Sequence, residues 1–523
     1  MKIARFLFGK RIASLWLILG VFQFSFFISV AIGQSQGFYD SLDMARSKLN
    51  QGDIRTALEL LETLEKAHPG EENLIRVKGQ ALYWSKDFNA MRAYFRNSLK
   101  TYPNLYWARL DYGRILYELN DWNESQEILK ESLKINPHEP ETNQKLAELN
   151  YWKGGSPKKS YDYLDEILIP FPDNELANTL KKEIRTGTSP YLSVGSGYFS
   201  DSQPLQFVNL STTGNFYQSA IFQPGFSAEF RSYSSGIALQ IAQATNKFSI
   251  PKTNTSLLLR GGMAKSSVWE GFSFTYGAEF RQKIPKNLEL SLSADQEAYF
   301  FTLASLVDPI IPMSFRTSFG RETGNSWTGK ISWQNTIFED QNTVNTLGAW
   351  LLVPILKQAA FRIDFGYSLN FSNSKEVRFS EELPIRNTPK NTEIGAVIPG
   401  LYTPYFTPIN QQVHGALGKV AINFSENIAL SLTGNYGFSA KIDNPNMIFF
   451  GSTGMNPNAP ISNKDISLVL VETSYIPLDF NAVLNWEISP KSALLLTYAY
   501  QKTIFFDSNS INLNYNFRIW NDQ

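Results

Sequence analysis

The sequence predicts a two-domain protein of the α + β class, in which an N-terminal α-helical repeat solenoid precedes a transmembrane antiparallel β-barrel. Two observations predict this fold. Residues 38–186 repeat with a period of 34 residues, which is the length of a helix pair in a solenoid. From Pro190 onwards, apolar and polar residues alternate with a period of two. Long alternating strands with one fully apolar face are typical of a barrel that meets lipid outside and water inside.

Residues 1–33 are predicted to be a signal peptide. A basic start precedes an apolar run from Ile12 to Ile32. Ala31 and Gly33 place small residues three positions and one position before a cleavage site, as signal peptidases require. The alternative is an uncleaved anchor, because a run of 21 residues is long enough to span a bilayer.

Prolines and small residues mark the repeats of residues 38–186. Those spaced 34 residues apart are Pro69, Pro103 and Pro137, and the small residues Ala45, Gly79, Gly113 and Ala147. A small residue lets two helices approach closely, and a proline ends the second helix of each pair. The pattern resembles the tetratricopeptide repeat, with about four repeats.

An aromatic row on the repeats is the candidate binding surface. Tyr83, Tyr117 and Tyr151 are 34 residues apart and are predicted to lie late on the first helix of each repeat, facing the concave groove. The residues predicted to contact a partner or polymer are Tyr83, Trp84, Trp107, Arg114, Tyr117, Tyr151 and Trp152. Such rings stack on sugar rings or hold a partner segment. The alternative is that they pack between the repeats.

Residues 190–523 are predicted to form the barrel, with sixteen strands and fourteen as the alternative. The alternation is clearest over Phe361–Ser372, where the odd positions are apolar. Backbone groups cannot stay unpaired in hydrocarbon, so a sheet in lipid has to close. The longest predicted connections, 373–411 and 442–465, both follow odd-numbered strands, which places them on the outer side if the repeats are periplasmic. The first either folds in as a gate or lies out as a receptor surface.

Charged residues on the polar side of the predicted strands are expected to face the lumen. They are Glu279, Arg281, Glu289, Lys330, Arg362, Asp364, Lys441 and Arg518. Mixed signs favour a conduit for a neutral or weakly charged polymer over an ion-selective pore. The alternative is that ion pairs brace the inside of the wall.

Composition argues against several functional classes. The net charge is zero, so we expect no nucleic-acid partner. The chain has no cysteine and three histidines, which leaves little for a metal site or a nucleophile. It contains neither a Gly-x-Ser-x-Gly motif nor a phosphate-binding loop. We therefore predict no catalytic residue, no cofactor and no metal, and we expect that the protein is not an enzyme.

The order of signal peptide, tetratricopeptide repeats and C-terminal barrel resembles the outer-membrane subunits of bacterial exopolysaccharide secretion systems. Examples are the poly-N-acetylglucosamine export porin and the cellulose-secretion outer-membrane protein. The order also resembles the smaller YaiO-type barrels. Residues Pro399-Gly400-Leu401-Tyr402-Thr403-Pro404 are similar to a Gly-Tyr-(Tyr/Trp/Phe)-Ser-Pro stretch found late in such barrels, from which Leu401 and Thr403 depart.

The resemblance implies export of an exopolysaccharide through a barrel in the outer membrane of a Gram-negative bacterium, with the repeats in the periplasm. The partners it implies are outer-membrane lipid, the polysaccharide, periplasmic or inner-membrane secretion subunits on the repeats, and the barrel assembly machinery. The alternative function is a barrel-anchored scaffold for envelope protein assembly, without transport.

Overall fold

A computed structural model describes residues 36–152, 156–251, 253–381, 394–450 and 466–520. The predicted signal peptide lies outside the described residues. The chain divides into two compact units, one ending at Lys145 and the other beginning at Leu146. Among the described helices, none has the length and apolar character needed to cross a membrane.

Nine helices precede the first strand in the described part of the chain. They are α1 Gln36–Asn50, α2 Ile54–Ala67, α3 Glu72–Trp84, α4 Phe88–Thr101, α5 Tyr106–Glu118, α6 Trp122–Ile135, α7 Pro140–Trp152, α8 Pro157–Leu168 and α9 Glu175–Thr188. Helices α3, α5 and α7 begin 34 residues apart, and so do α2, α4 and α6. The predicted period is therefore the period of helix pairs, and α9 follows the fourth pair.

The small residues of the repeat allow the paired helices to touch. A Cβ atom added to Gly79 of α3 would lie 2.1 Å from the ring of Phe95 in α4. At Gly113 of α5, it would lie 2.6 Å from Leu129 in α6. Glycine is thus needed at these two positions because the neighbouring helix fills the space of a side chain.

Aspartates at the same period start the second helices. The side chain of Asp53 accepts a hydrogen bond from the backbone N–H of Thr56 at 3.4 Å, and Asp87 accepts one from Ala90 at 3.0 Å. Each bond satisfies a backbone donor that has no partner inside the helix, which stabilises the helix start.

The barrel wall is one closed antiparallel sheet. Its strands are β1 Tyr191–Asp201, β2 Gln206–Asn215, β3 Phe222–Tyr233, β4 Ala238–Ile250, β5 Thr255–Ser266, β6 Ser273–Ile284, β7 Leu288–Gln296, β8 Met313–Arg321, β9 Thr328–Ile337, β10 Thr343–Lys357, β11 Phe361–Ser374, β15 Gln411–Asn423, β16 Ile428–Phe449, β17 Ile466–Tyr475, β18 Leu478–Ser489, β19 Ser492–Lys502 and β20 Asp507–Arg518. Three short strands lie between β11 and β15, namely β12 Phe379–Glu381, β13 Val397–Ile398 and β14 Gly400–Tyr402.

Both β17 and β18 pair with β16, so they are consecutive segments of a single wall strand. Pairing of β1 with β20 closes the ring. The described residues therefore form sixteen wall strands, which confirms the predicted number. One boundary differs from the prediction: β16 continues to Phe449 along β17, so the connection predicted to start at 442 begins after that residue.

Side-chain exposure distinguishes the two sides of the wall. In β11, Phe365 and Tyr367 are 56% and 42% exposed, whereas Asp364 is 4% exposed. On β20, Leu513 and Tyr515 are 45% and 43% exposed. Because the exposed residues are apolar, their side of the wall is the one suited to lipid, and the alternating polar residues face the lumen.

Candidate functional site: repeat groove and barrel lumen

Two of the predicted groove tyrosines contact the first helix of the next repeat. The hydroxyl of Tyr83 donates to Glu118 Oε2 at 2.9 Å. Burial and, as the second cause, this hydrogen bond raise the pKa of Tyr83 to about 12. The ammonium of Lys145 lies 4.9 Å from the centre of the Tyr117 ring, within cation–π range. These two rings join consecutive repeats, as the packing alternative predicts.

Tyr151 and Trp152 pack against α9 in the second compact unit. The indole N–H of Trp152 donates to Glu183 Oε1 at 3.0 Å. A Cβ atom at Gly187 would lie 2.1 Å from the hydroxyl of Tyr151, and burial raises the pKa of Tyr151. Both rings therefore contribute to helix packing.

Trp84 and Trp107 keep open ring surface. Their side chains are 44% and 38% exposed, although both lie on the first helices of their repeats. The guanidinium carbon of Arg76 lies 5.7 Å from the centre of the Trp107 ring. An exposed indole face beside a hydrogen-bond donor is suited to stacking on a sugar ring or a partner side chain.

Arg114 belongs to a row of ion pairs that crosses α3, α5 and α7. Arg76 Nε lies 2.6 Å from Asp111 Oδ2. Arg114 lies 3.6 Å from Asp111 Oδ1 and 3.1 Å from Glu141 Oε1. The two positive and two negative groups cancel, so this row of ion pairs gives the surface of the repeats a defined shape without adding net charge.

Several predicted lumen charges are paired with one another. Arg281 Nε lies 2.7 Å from Glu279 Oε1, and the same carboxylate accepts a hydrogen bond from Ser291 at 2.9 Å. Arg362 Nε lies 2.7 Å from Asp364 Oδ1. Within each pair the two residues are separated by one outward residue, so both side chains point into the lumen.

Other predicted lumen residues have partners elsewhere. Lys330 Nζ lies 2.6 Å from Glu322 Oε1. The guanidinium of Arg518 lies 5.9 Å from the centre of the Tyr191 ring. Glu289 is the register partner of Lys283 on β6.

Among the lumen charges that were not predicted from sequence are Glu229, Arg231, Arg260 and Asp295. Arg231 Nε lies 2.8 Å from Glu229 Oε1, and Arg260 donates to Asp295. All four lie on the polar side of their strands, so the alternation that found the others also applies to them.

Lys441 lies on the opposite face from the one predicted. A register shift immediately after His414 lets one extra residue enter β16, and such a bulge reverses the alternation. Beyond it Lys441 pairs with Gln412, which pairs with Phe371 on the apolar side of β11. The ammonium of Lys441 lies 2.9 Å from Glu472 Oε1, and both side chains are more than half exposed.

Two connections fold inward and meet at one end of the barrel, the end at which β7 and β11 finish. One is residues 297–312, which include the short helix α10 Leu303–Val307. The other is residues 399–410, which precede β15. The hydroxyl of Thr302 donates to the carbonyl of Pro404 at 2.5 Å and so joins them. We call these two segments the cap.

A tyrosine and a carboxylate hold the second segment of the cap. The ring of Tyr405 is stacked on Phe338, with centroids 3.5 Å apart. The hydroxyl of Tyr405 donates to Asp340 Oδ2 at 2.7 Å, and Arg378 Nε donates to the same oxygen at 2.7 Å. Burial opposes ionisation of Asp340, but these hydrogen bonds outweigh it and lower the pKa of Asp340.

The cap also reaches a distant part of the ring. Phe406 and Tyr402 lie 5.0 Å and 4.9 Å from Phe505, measured between ring centroids. Phe505 lies in the turn between β19 and β20, whereas Asp340 lies in the turn between β9 and β10. The described part of the 373–411 connection therefore folds inward, and the stretch from Pro399 to Pro404 lies within it.

Residues 85–149 match the family model of the tetratricopeptide repeat. No curated protein matches the chain. Among solved structures, the chain is similar to a bacterial polysaccharide outer membrane secretin, with a TM-score of 0.45 and 11% identity over 64% of this chain and 99% of that one. It is also similar to MamA from Desulfovibrio magneticus RS-1, with a TM-score of 0.25 and 14% identity over 30% of this chain and 87% of that one.

A third similar structure is YrrB, described as a tetratricopeptide-repeat protein with an unusual peptide-binding site. Its TM-score is 0.23, with 17% identity over 26% of this chain and 71% of that one. The fold and the family match define the class of this protein. It has tetratricopeptide repeats followed by a closed sixteen-stranded β-barrel of the kind found in outer membranes.

Proposed function

We propose that this protein takes part in the export of an exopolysaccharide through its barrel. In this proposal the barrel lies in the outer membrane of a Gram-negative bacterium, and the repeats hang in the periplasm. The observation that carries the proposal is the polar lumen, in which several charges of opposite sign are paired. A ring of sixteen strands is wide enough for an aqueous passage.

The pairing argues for the type of cargo. Each of the pairs Glu229–Arg231, Glu279–Arg281 and Arg362–Asp364 lies on a single strand and has no net charge. Where charges are paired in this way, the wall attracts neither cations nor anions strongly. A polymer without a high charge density would therefore pass without being held.

The repeats would gather the polymer or dock a secretion subunit. Trp84 and Trp107 support this role, since their rings are accessible. Tyr83 and Tyr117 support it indirectly, because their contacts with the next repeat hold those helices in place.

The test is the conductance of the full chain in planar bilayers. We expect a small conductance in the native protein, because the cap covers the mouth, and a larger one in Tyr405→Ala. Tyr276→Ala is the matched control, since Tyr276 is an outward, 55% exposed tyrosine. If neither the native chain nor Tyr405→Ala conducts, while heat-modifiable gel mobility shows folded barrels, export through this lumen is excluded.

The second candidate is an anchored scaffold, and the cap favours it. Tyr405 is 2% exposed and Tyr402 is 5% exposed, which is the packing of a filled end. With this function the barrel only anchors the repeats.

Two experiments test the scaffold function. Crosslinking at Trp107 in whole cells would then capture an envelope protein. A barrel that stays closed in Tyr405→Ala would also favour this candidate. A glycosyltransferase gene beside this one would favour export.

A further inference from the structure

Part of the lumen face carries no paired charges. On β20, Asn512, Asn514 and Asn516 lie on the side opposite to the exposed Leu513 and Tyr515, and so face the lumen. Their register partners on the lumen side of β1 are Gly197, Gly195 and Ser193 respectively. Between Asn512 and Asn516 this arc carries no charged side chain on its lumen side, and Arg518 follows two residues beyond on the same side of β20. The ion pairs lie on β3, β5, β6, β7 and β11.

The glycines of β1 make room for the neighbouring polar side chains. A Cβ atom at Gly197 would lie 2.0 Å from Asn512 Oδ1 and 2.5 Å from Asn209 Oδ1. Two amides, one from β20 and one from β2, therefore converge over the same glycine. Any larger residue at Gly197 would push both amides away from the wall.

The same arrangement recurs two residues along. A Cβ atom at Gly195 would lie 2.1 Å from Asn514 Oδ1 and 2.8 Å from Ser211 Oγ. We call these converging residues, together with Asn516 as the next lumen-facing amide of β20, the amide track. Its members are Asn209, Ser211, Asn512, Asn514 and Asn516.

The amide track differs from the charged arc in its hydrogen bonding. Within the described part of the chain, the side chains of Asn512, Asn514 and Asn516 form no hydrogen bond with the protein, and all three are half-buried and reach the lumen. The carboxylates of Glu279 and Asp364, in contrast, are occupied by arginines. The amides are left to bind water or cargo.

We propose that the amide track is the path along which a neutral, hydroxyl-rich glycan contacts the lumen. The inference rests on the proposed export function and names its substrate class. An amide side chain both donates and accepts hydrogen bonds, as the hydroxyl groups of a sugar do. Each such bond exchanges with a bond to water and has a net value of only about 0.5–1.5 kcal/mol. Many weak contacts in a row guide a polymer and still release it.

The spacing fits an extended chain. Alternate residues of a strand are separated by roughly 6.8 Å, so Asn512, Asn514 and Asn516 present three amides over about 14 Å of the wall. The amides themselves offer a polyanion no cationic partner; Arg518, on the same side of β20, lies beyond the end of the track.

The test measures oligosaccharide binding to the full chain in detergent by isothermal titration calorimetry. The probes are maltoheptaose, which is neutral, and an oligogalacturonate of the same length, which is anionic. We expect the double variant Asn512→Leu/Asn514→Leu to weaken maltoheptaose binding about tenfold, through the loss of two hydrogen-bonding groups. Asn370→Leu is the control, because Asn370 is a lumen-facing amide on β11, away from the track. Trp107→Ala reports any separate binding by the repeats.

Several outcomes would overturn the inference. They are unchanged maltoheptaose affinity in a folded double variant, no binding of maltoheptaose by the native protein, or tighter binding of the oligogalacturonate than of maltoheptaose. If the double variant fails to show heat-modifiable mobility, the single variant Asn514→Leu decides, with an expected loss of about threefold. If maltoheptaose binding depends on the track but Tyr405→Ala does not conduct, export is excluded and the glycan site remains. If Tyr405→Ala conducts but maltoheptaose binding does not depend on the track, export remains and the glycan site is excluded.

Discussion

Arg362 and Asp364 form an ion pair on the lumen side of β11, with Arg362 Nε 2.7 Å from Asp364 Oδ1. Arg362 also donates to the backbone carbonyl of Gly324 at 2.9 Å, and so connects the strand to the segment between β8 and β9. The carboxylate is almost fully buried. The sequence placed Arg362 in the lumen only because it lies on the polar side of its strand. In the structure, Arg362 also joins two parts of the wall.

Arg362→Leu is therefore expected to destabilise the barrel. The change leaves a buried carboxylate without its arginine, which costs about 1–3 kcal/mol. Adding Asp364→Asn should recover part of this loss, because the remaining group is then neutral. Urea unfolding in lipid vesicles, followed by tryptophan fluorescence, measures both variants. Equal stability of the single and the double variant would contradict the structural role of the pair.

Phe365→Arg tests the lipid face. Phe365 is 56% exposed on the apolar side of β11, and an arginine at the midplane of a barrel costs ~2–4 kcal/mol. We expect poor assembly, seen as loss of the heat-modifiable folded band. Phe365→Leu is the control and should assemble normally. Normal assembly of Phe365→Arg would mean that the two faces of β11 are assigned the wrong way round.

Gly79→Ala tests the repeats. The added Cβ atom would meet the Phe95 ring at 2.1 Å, and overpacking of this kind costs roughly 1–3 kcal/mol. Gly37→Ala is the matched change in α1, where nothing lies within 4 Å of the new atom, so it should be neutral or stabilising. Thermal unfolding of the full chain, monitored by circular dichroism at a helical wavelength, compares them. A lower melting temperature for Gly37→Ala than for Gly79→Ala would refute the close packing of α3 and α4.

The hydrogen bonds to Asp340 predict how the cap depends on pH. The pKa of Asp340 in the folded protein is lowered from its ordinary value of 3.8, because the bonds from Tyr405 and Arg378 outweigh burial. The stabilisation is therefore complete above that ordinary value and is lost as the pH falls through the lowered pKa. Conductance should be constant from about pH 5 to pH 8 and should rise only in stronger acid.

Asp340→Asn should remove this acid-induced rise and increase conductance at neutral pH, because the charge that holds Arg378 is gone. Glu376→Gln is the control, since Glu376 also pairs with Arg378 but does not bind Tyr405. An opening transition near pH 6 in the native protein would show that another group holds the cap.

The helix pairs, the sixteen strands and the side of the wall that suits lipid were all predictable from sequence. Each is a periodic property, repeated every 34 residues or every second residue, and the burial of one face imposes it on every turn or strand. The lumen parity of Arg281 and Asp364 follows from the same rule.

Non-periodic contacts could not be found in this way. Tyr405 meets Asp340 across 65 residues, and the bulge after His414 moves Lys441 to the other face. Similarly, Tyr83 and Trp84 are adjacent in sequence, yet one is bonded to the next repeat and the other is exposed. In each case the outcome depends on which distant backbone or side chain comes close on folding. The pattern along a single strand or helix carries no information about that neighbour, so the cap and the convergence of amides over Gly197 became visible only in three dimensions.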